Sequence, residues 1–270
     1  LITPKIIYDR VETMEENLID VYDNPFYYDV AFSFRDISRE VDFFEKCIKK
    51  FSKTKVKKIL DIGCGPCPYM EELAKRGYTF TGLDLSKLML GYSLEKARKS
   101  GIKIAIIHAD MRNFKAKEQF DFAFCMLGSV TVESNEDFLS HLDSMAACIR
   151  SGGLYLIDAV IQFDWTRLGS DSWTVIKNGL IVNVTWSTSA INYIEQKAMD
   201  RLVVEVIEDG KAKVFKTERT SKIIFPQEFF ELVRKNGRFE FLGWYNNFDL
   251  AQPLEKAMQF NRPMTVLRRK

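Results

Sequence analysis

Seven consecutive residues, Asp61-Ile62-Gly63-Cys64-Gly65-Pro66-Cys67, offer two incompatible chemistries. The tetrapeptide Cys64-Gly65-Pro66-Cys67 has the spacing of a redox dithiol, whereas Asp61 to Gly65 is a side-chain-poor bend suited to holding a nucleotide-like cofactor against main-chain groups. A thioredoxin-type dithiol needs a facing proline, typically cis, yet after Pro68 the chain has none until Pro226. A zinc site is no better served: Cys47, Cys125, Cys148, His108 and His141 supply no second close pair of ligands. Cys64 and Cys67 are therefore expected to fill a turn, and no metal site is expected.

The nucleotide reading gains support from an acid further along the chain. Asp84 closes a β-rich run 21 positions beyond Gly63. A carboxylate at the end of a second strand can accept hydrogen bonds from the vicinal hydroxyls of a ribose, across the crevice from the glycine turn. A dinucleotide would want a third glycine where Pro68 stands, so a pyrophosphate is poorly accommodated. Asp61, just before the turn, repels phosphate and suits an ammonium or a sulfonium.

Such residues need a frame, and the hydrophobic pattern supplies one. Strands are expected at 58–61, 79–83, 103–108, 120–127 and 154–160, alternating with helices at 69–76 and 87–99 and one opened by Ser134, with Asp137 as its capping partner, and closed by Gly152-Gly153. Short apolar strands alternating with amphipathic helices predict an α/β fold, a parallel sheet with helices on both faces. Between 173 and 225 the helical period vanishes. Asn178-Gly179 and Asp209-Gly210 each sit between β-rich runs, predicting tight hairpins in an inserted antiparallel sheet of about four strands, over 175–177, 180–187, 192–208 and 213–224. Pro226 opens a further helix, stopped by Asn236-Gly237, and strands resume at 239–245 and 264–268. Four regions are expected: an N-terminal helical cap (1–56), a cofactor-binding core (57–165), the β insertion (166–225) and a return to the core sheet (226–270).

Composition narrows the classes. A 270-residue chain with 46% hydrophobic residues can bury a full core. A net charge of +2 gives no global attraction to nucleic acid or membrane, and the basic run 49–58 reads as a solvated approach to a strand. Five scattered cysteines suit free thiols in a reducing compartment, so a cytoplasmic location is expected. The chain begins at Leu1 with no initiator Met, which leaves its native N-terminus undetermined.

These motifs resemble the class I S-adenosylmethionine-dependent methyltransferases, whose sheet is Rossmann-like. The sequence LDIGCGPCPY is similar to their first motif, TGLDLS to their ribose motif, HADMRNF to their adenine motif, FDFAFCMLGSV to the strand lining the methyl-transfer cleft, and IRSGGLYLIDAV to the turn into their fifth strand. The early YYDVAFSFRDISREVDFF, the insertion, FPQEFFELVRKNG and RPMTVLRRK resemble a small-molecule subgroup that includes aminosugar N,N-dimethyltransferases. The resemblance implies S-adenosyl-L-methionine as cofactor, with S-adenosyl-L-homocysteine as product. It implies that Gly63, Cys64 and Gly65 line the methionine moiety and that Asp61 orders its amino end. Asp84 would hold the ribose, Leu85 and Met89 would flank the nucleoside, Asp110 would accept from the adenine amino group, Met111 would cover the ring, and Met126 would offer backbone contacts near the sulfonium. Tyr28 would close over the cofactor, with Tyr22 and Tyr27 as competitors. Bland readings stand beside these: Met89 and Met111 as core residues, and Asp110 as a helix cap.

The expected function is methyl transfer to a small-molecule acceptor, nitrogen ahead of oxygen; a non-catalytic cofactor-binding partner subunit is the alternative. Some aminosugar enzymes of the subgroup carry a His or Tyr ring shortly after the fourth strand, where Val132 stands here, which weighs against an aminosugar. Glu133, His108 and His141 are weak candidates for proton handling, His141 as a boundary or surface residue, so no catalytic residue is assigned. Absence of an Asn-Pro-Pro-aromatic signature argues against methylation of a base amine in DNA, no nucleic-acid partner is expected, no run is apolar enough to span a membrane, and exposed strands of the insertion could pair two copies into a homodimer.

Overall fold

A computed structural model describes residues 20–163, 168–257 and 259–270. Residues 1–19 of the expected N-terminal cap lie outside them. Five strands form the parallel frame: β1 (Lys58–Ile62), β2 (Thr79–Asp84), β3 (Ala105–His108), β4 (Phe120–Cys125) and β5 (Ile149–Asp158). They lie in the order 5-4-1-2-3, so the chain reverses its direction of travel across the sheet between β1 and β4. Ligands of open α/β sheets bind at such a reversal, beyond the carboxyl ends of the strands. Every residue of β4 is buried, as expected for a strand covered on both faces.

Helices cover the sheet on both faces. Between the strands run α3 (Met70–Lys75), α4 (Lys87–Lys99) and α5 (Asn135–Cys148), preceded by α1 (Pro25–Ala31) and α2 (Ile37–Phe51) and followed by α6 (Pro226–Asn236). Ser134 caps α5 by accepting from Asp137 N, as its spacing predicts. The same helix ends at Cys148, four residues before the expected glycine stop, because Ile149 turns straight into β5 and Gly152-Gly153 are strand residues. Gly153 has no room for a side chain: a Cβ would lie 2.6 Å from the Asp121 carbonyl oxygen.

The insertion is a separate antiparallel sheet, β6 (Ser170–Lys177), β7 (Leu180–Asn192), β8 (Lys197–Glu208) and β9 (Lys211–Lys222), in sequential order. Asn178-Gly179 and Asp209-Gly210 adopt positive φ at both positions, the requirement of the tight hairpins predicted for them. The expected long strand over 192–208 is in fact interrupted at 193–196, where Asn192 accepts from Ile194 N and Glu195 N and turns the chain. One face of this sheet, with Val182, Val184, Val204 and Val206, packs on Val30 and Ala31 of α1. The short helix α1 is thus held between the insertion and α4, where Asp29 pairs with Lys96 and accepts from Tyr92.

Beyond α6 the chain adds β10 (Phe239–Asn246), β11 (Asp249–Pro253) and β12 (Pro263–Arg269), each antiparallel to its neighbour, with β12 seated beside β5 and β10 between β12 and β11. The edge strand β11 has no alternating pattern and was not expected. No helix among the described residues is long and apolar enough to cross a membrane.

Candidate active site

The glycine turn lies at the sheet's reversal point. Gly63 and Gly65 take φ of +65° and +49°, conformations costly for other residues, and a Cβ on Gly63 would lie 3.1 Å from Ser129 Cβ and 3.3 Å from Met111 Cε. Asp84 fastens the turn, accepting from Gly65 N and from Ser86 N, each at 2.8 Å. Each of its oxygens keeps capacity for a further donor. Ser93 of α4 donates to the Gly65 carbonyl at 2.8 Å.

The two cysteines pack beneath this turn against β2. A Cβ on Gly82 would lie 2.7 Å from Cys64 Sγ and 3.0 Å from Cys67 Sγ, so the strand's glycine makes room for both thiols. Burial, reinforced by Cys67, pushes the Cys64 thiol well above its ordinary pKa. That opposes the thiolate a redox motif needs.

A cavity of about 320 Å³ opens beside the turn. Among its walls are Tyr28, Arg35, Asp61, Gly63, Cys64, Gly65, Tyr69, Met126, Leu127 and Ser129. Asp61 is buried and its Oδ2 has no hydrogen-bond partner. Burial, with a smaller push from Cys67, raises its carboxyl well above the ordinary carboxylate range, and Arg35 only partly opposes this. Arg35 is held from behind by Glu40 and the Tyr69 hydroxyl. One cavity therefore presents an unsatisfied acid and a fixed guanidinium, the complement of an amino acid's ammonium and carboxylate.

Sequence reasoning missed Arg35, Glu40 and Tyr69. A signal existed in Arg35: it directly precedes Asp36, the cap of α2, and a cation is unfavourable at a helix N-terminus unless another partner holds it. Tyr69, placed at the start of a helix, gave no sign that its ring would be fully buried.

The structure separates the three tyrosines. Tyr28 faces the turn, with its Cε1 3.8 Å from a Cβ built on Gly65, while Tyr27 points away and donates to Glu208 of the insertion. Tyr22 lies behind Tyr28, ring centroids 5.1 Å apart, and carries Arg219 over its own face at 4.0 Å.

Asp84, Leu85, Asp110 and Met111 gather on the other side of the turn, at the ends of β2 and β3, where Ala109 N donates to the Asp84 carbonyl. Leu85 is 65% exposed, whereas Met89, in the first turn of α4, is completely buried. Asp110 accepts from Arg112, which grips both carboxylate oxygens and lowers its pKa. Arg112 also reaches Glu133, at 3.8 Å. His141, expected at a boundary, is instead fully buried: its Nδ1 lies 2.9 Å from the Met111 carbonyl and its Nε2 2.7 Å from the Tyr155 hydroxyl. Desolvation lowers its pKa to about 4, so it is a neutral structural group. His108 sits 2.9 Å from the Leu85 carbonyl, and Val132 is core. Among the described residues no cluster of metal-ligating side chains forms.

Sheet order, reversal point, glycine turn and acid-ended second strand together define the class I methyltransferase architecture. The family described as "Methyltransferase domain" matches residues 59–153, the segment that holds β1 to β4 and the start of β5. Its fold is that of an S-adenosylmethionine-dependent methyltransferase from Clostridium acetobutylicum ATCC 824, with TM-score 0.73, 18% identity and coverage of 97% of this chain and 98% of that one. Streptomyces venezuelae DesVI is similar at TM-score 0.73 and 16% identity, over 90% of this chain and 98% of its own. The sugar N-methyltransferase KedS8 from Streptoalloteichus sp. ATCC 53650 gives TM-score 0.71 and 17% identity, with 96% of both chains covered. In sequence, a ubiquinone biosynthesis O-methyltransferase of Vibrio parahaemolyticus serotype O3:K6 (strain RIMD 2210633) is 35% identical over 99 residues, 36% of this chain and 41% of that one. The chain spans 41% to 59% of the length of the first curated relatives it matches.

Proposed function

We propose that this protein is an S-adenosyl-L-methionine-dependent methyltransferase acting on a small-molecule acceptor. One observation carries the reading: the buried, unpartnered carboxylate oxygen of Asp61 shares a cavity with Arg35 beside a glycine turn. That cavity fits the zwitterionic methionine end of the cofactor. Asp61 would hold the ammonium, Arg35 the carboxylate, Gly63 to Gly65 the chain between them, and Met126 the rim near the sulfonium. Asp84 would take the ribose, with Leu85, Met89, Asp110 and Met111 around the base and Tyr28 closing over the turn. When bound, the cofactor supplies an electrophilic methyl on a cationic sulfur. The residues here orient and exclude water; alignment of that kind contributes roughly 7 to 11 kcal/mol at its best.

The cavity wall carries no histidine, and its outer carboxylates are engaged, Asp29 by Lys96 and Tyr92 and Glu71 by Ser100, which favours an acceptor that needs no base, such as an amine, over a hydroxyl. Nitrogen is therefore placed ahead of oxygen, and relatives named for each exist. We also propose the organisation into cap, cofactor-binding core, β insertion and returning sheet, a cytoplasmic setting suited to five free, buried cysteines, and self-association through the insertion. Support for self-association comes from the outward face of that sheet, where Ile176, Ile181 and Ile207 pair across three strands and Ile176 is 76% exposed.

Calorimetry with S-adenosylhomocysteine, followed by transfer of a labelled methyl group from the cofactor to a metabolite pool, tests the proposal. Binding together with a labelled small molecule is expected. Binding without any labelled product would favour a non-catalytic partner subunit, and no binding would end the reading.

A further inference from the structure

The cavity is bounded on one side by the tip of β4, residues Met126, Leu127 and Ser129. That tip is held in an unusual state. Leu127, a branched residue, takes φ of +56° and is followed by Gly128 at +64°, while Ala159, at the neighbouring tip of β5, takes φ of +52°. Non-glycine residues persist in this region only where their surroundings fix them.

The fixing group is Asp158, the last residue of β5 and fully buried. Its Oδ2 accepts from Leu127 N at 2.8 Å, and Arg262 grips the same carboxylate through Nη2 at 2.7 Å and Nε at 3.1 Å. Arg262 lies just before β12, far outside the matched methyltransferase segment, and its guanidinium sits 4.7 Å from the centre of the Phe248 ring. Main-chain bonds set its position: Arg262 N donates to Asn246 Oδ1, and the next carbonyl, of Pro263, accepts from Ala159 N. Its Nη1 is 3.6 Å from Glu40, which in turn holds Arg35. The charges thus form a continuous path, from Arg35 through Glu40, Arg262 and Asp158 to Leu127, and both of its ends line the cavity.

We propose that Arg262 and Asp158 are positioning residues, which set the height of the β4 tip against the amino-acid end of the cavity; the role rests on the reading of that cavity as a cofactor site. Neither touches the cofactor in this scheme. Arg262 neutralises a carboxylate that would otherwise be desolvated alone, and that carboxylate in turn holds the Leu127 amide in its left-handed turn. Because the path also passes behind Arg35, losing Arg262 disturbs both ends together.

The test uses the full chain and three substitutions, Arg262→Met, Arg262→Lys and Arg268→Met. Arg268 of β12 pairs with Glu240 of the neighbouring β10, off the cavity lining, and serves as the control for plain loss of stability. Expected for Arg262→Met are amide hydrogen exchange at Leu127 about tenfold faster and affinity for S-adenosylhomocysteine about tenfold weaker, beyond any change seen in Arg268→Met at a matched melting temperature. Arg262→Lys keeps the charge and loses the two-point grip, so about threefold changes are expected, and it remains informative if the methionine variant does not fold. Leu127 exchange and affinity that track the Arg268→Met control would overturn the role. If the unaltered protein ignores S-adenosylhomocysteine, the cofactor reading falls and this role with it; binding that is insensitive to Arg262 removes the role alone.

Discussion

The two ends of the candidate site are built differently. At the amino-acid end the polar groups are buried and already fixed: Asp61, Arg35 and Tyr69 line the cavity, Glu40 lies behind them, and Arg35 has its partners in place. At the nucleoside end the groups are half exposed, Leu85 faces solvent, and Asp110 is occupied by Arg112, a neighbour two residues away. Preorganised charge in a dry site costs stability and repays it when the complementary charge arrives. A solvated groove costs little and contributes little. Affinity should therefore be concentrated at the amino-acid end.

The largest expected effect comes from breaking the buried cluster. Arg35→Met leaves the buried Glu40 with the Tyr69 hydroxyl and a more distant Arg262 as partners, and a loss of about 3–5 kcal/mol in unfolding free energy is expected, with binding lost as well. Denaturant melts of the variant check this; a midpoint within error of the parent would mean that the cluster is not energetically buried.

Asp61→Asn should separate function from stability. The carboxyl's pKa is raised in the folded chain, so its contribution to stability is fully present below the unfolded value near 4 and is lost as pH rises through the folded value. At pH 8 the acid works against the fold. The amide should thus melt higher than the parent while binding S-adenosylhomocysteine about 100-fold more weakly, roughly 2.7 kcal/mol. The same sign predicts proton release: an arriving ammonium lowers the Asp61 pKa, so below that raised value binding enthalpy should differ between buffers of different ionisation heat. Equal enthalpies in two such buffers would mean that Asp61 is already ionised.

How much of this contrast was legible in the sequence depended on whether a signal was local. The glycine turn, Asp84 and the parallel frame are local patterns, and the hairpins at Asn178-Gly179 and Asp209-Gly210 carry their own conformational requirement. Asp61 could be seen as an anion next to a turn, but its isolation arises from packing by β2 and β4. Arg35, Glu40 and Arg262 come together from positions separated by more than two hundred residues, and no short-range pattern encodes that meeting. The burial of His141 escaped the sequence for a related reason. It lies at the flank of an apolar stripe, but Tyr155 of β5 and the Met111 carbonyl satisfy both ring nitrogens and allow full burial.

His141 also gives the nucleoside end its own stability test. Its pKa falls from 6.5 to about 4 on folding, so its contribution is intact above pH 6.5 and is lost as pH drops toward 4. At pH 5 the deficit relative to neutral pH should be about 2 kcal/mol from this residue. His141→Gln, whose amide can serve both partners, should flatten that part of the pH profile. An unchanged acid limb would assign the sensitivity to carboxylates elsewhere.

Asp110→Ala should have the smallest effect. Asp110 already bonds Arg112, so an adenine amino group gains only a share of a carboxylate that is partly solvated. About 1 kcal/mol, a fivefold weakening toward S-adenosylhomocysteine, is expected. Removing the acid also frees Arg112, with Glu133 and Asp137 as its remaining acidic neighbours, to swing across the base and recover part of the loss by stacking. The double variant with Arg112→Ala should then bind more weakly than Asp110→Ala alone. Should Asp110→Ala instead match Asp61→Asn in severity, the division between a preset amino-acid end and a solvated nucleoside end would have to be abandoned.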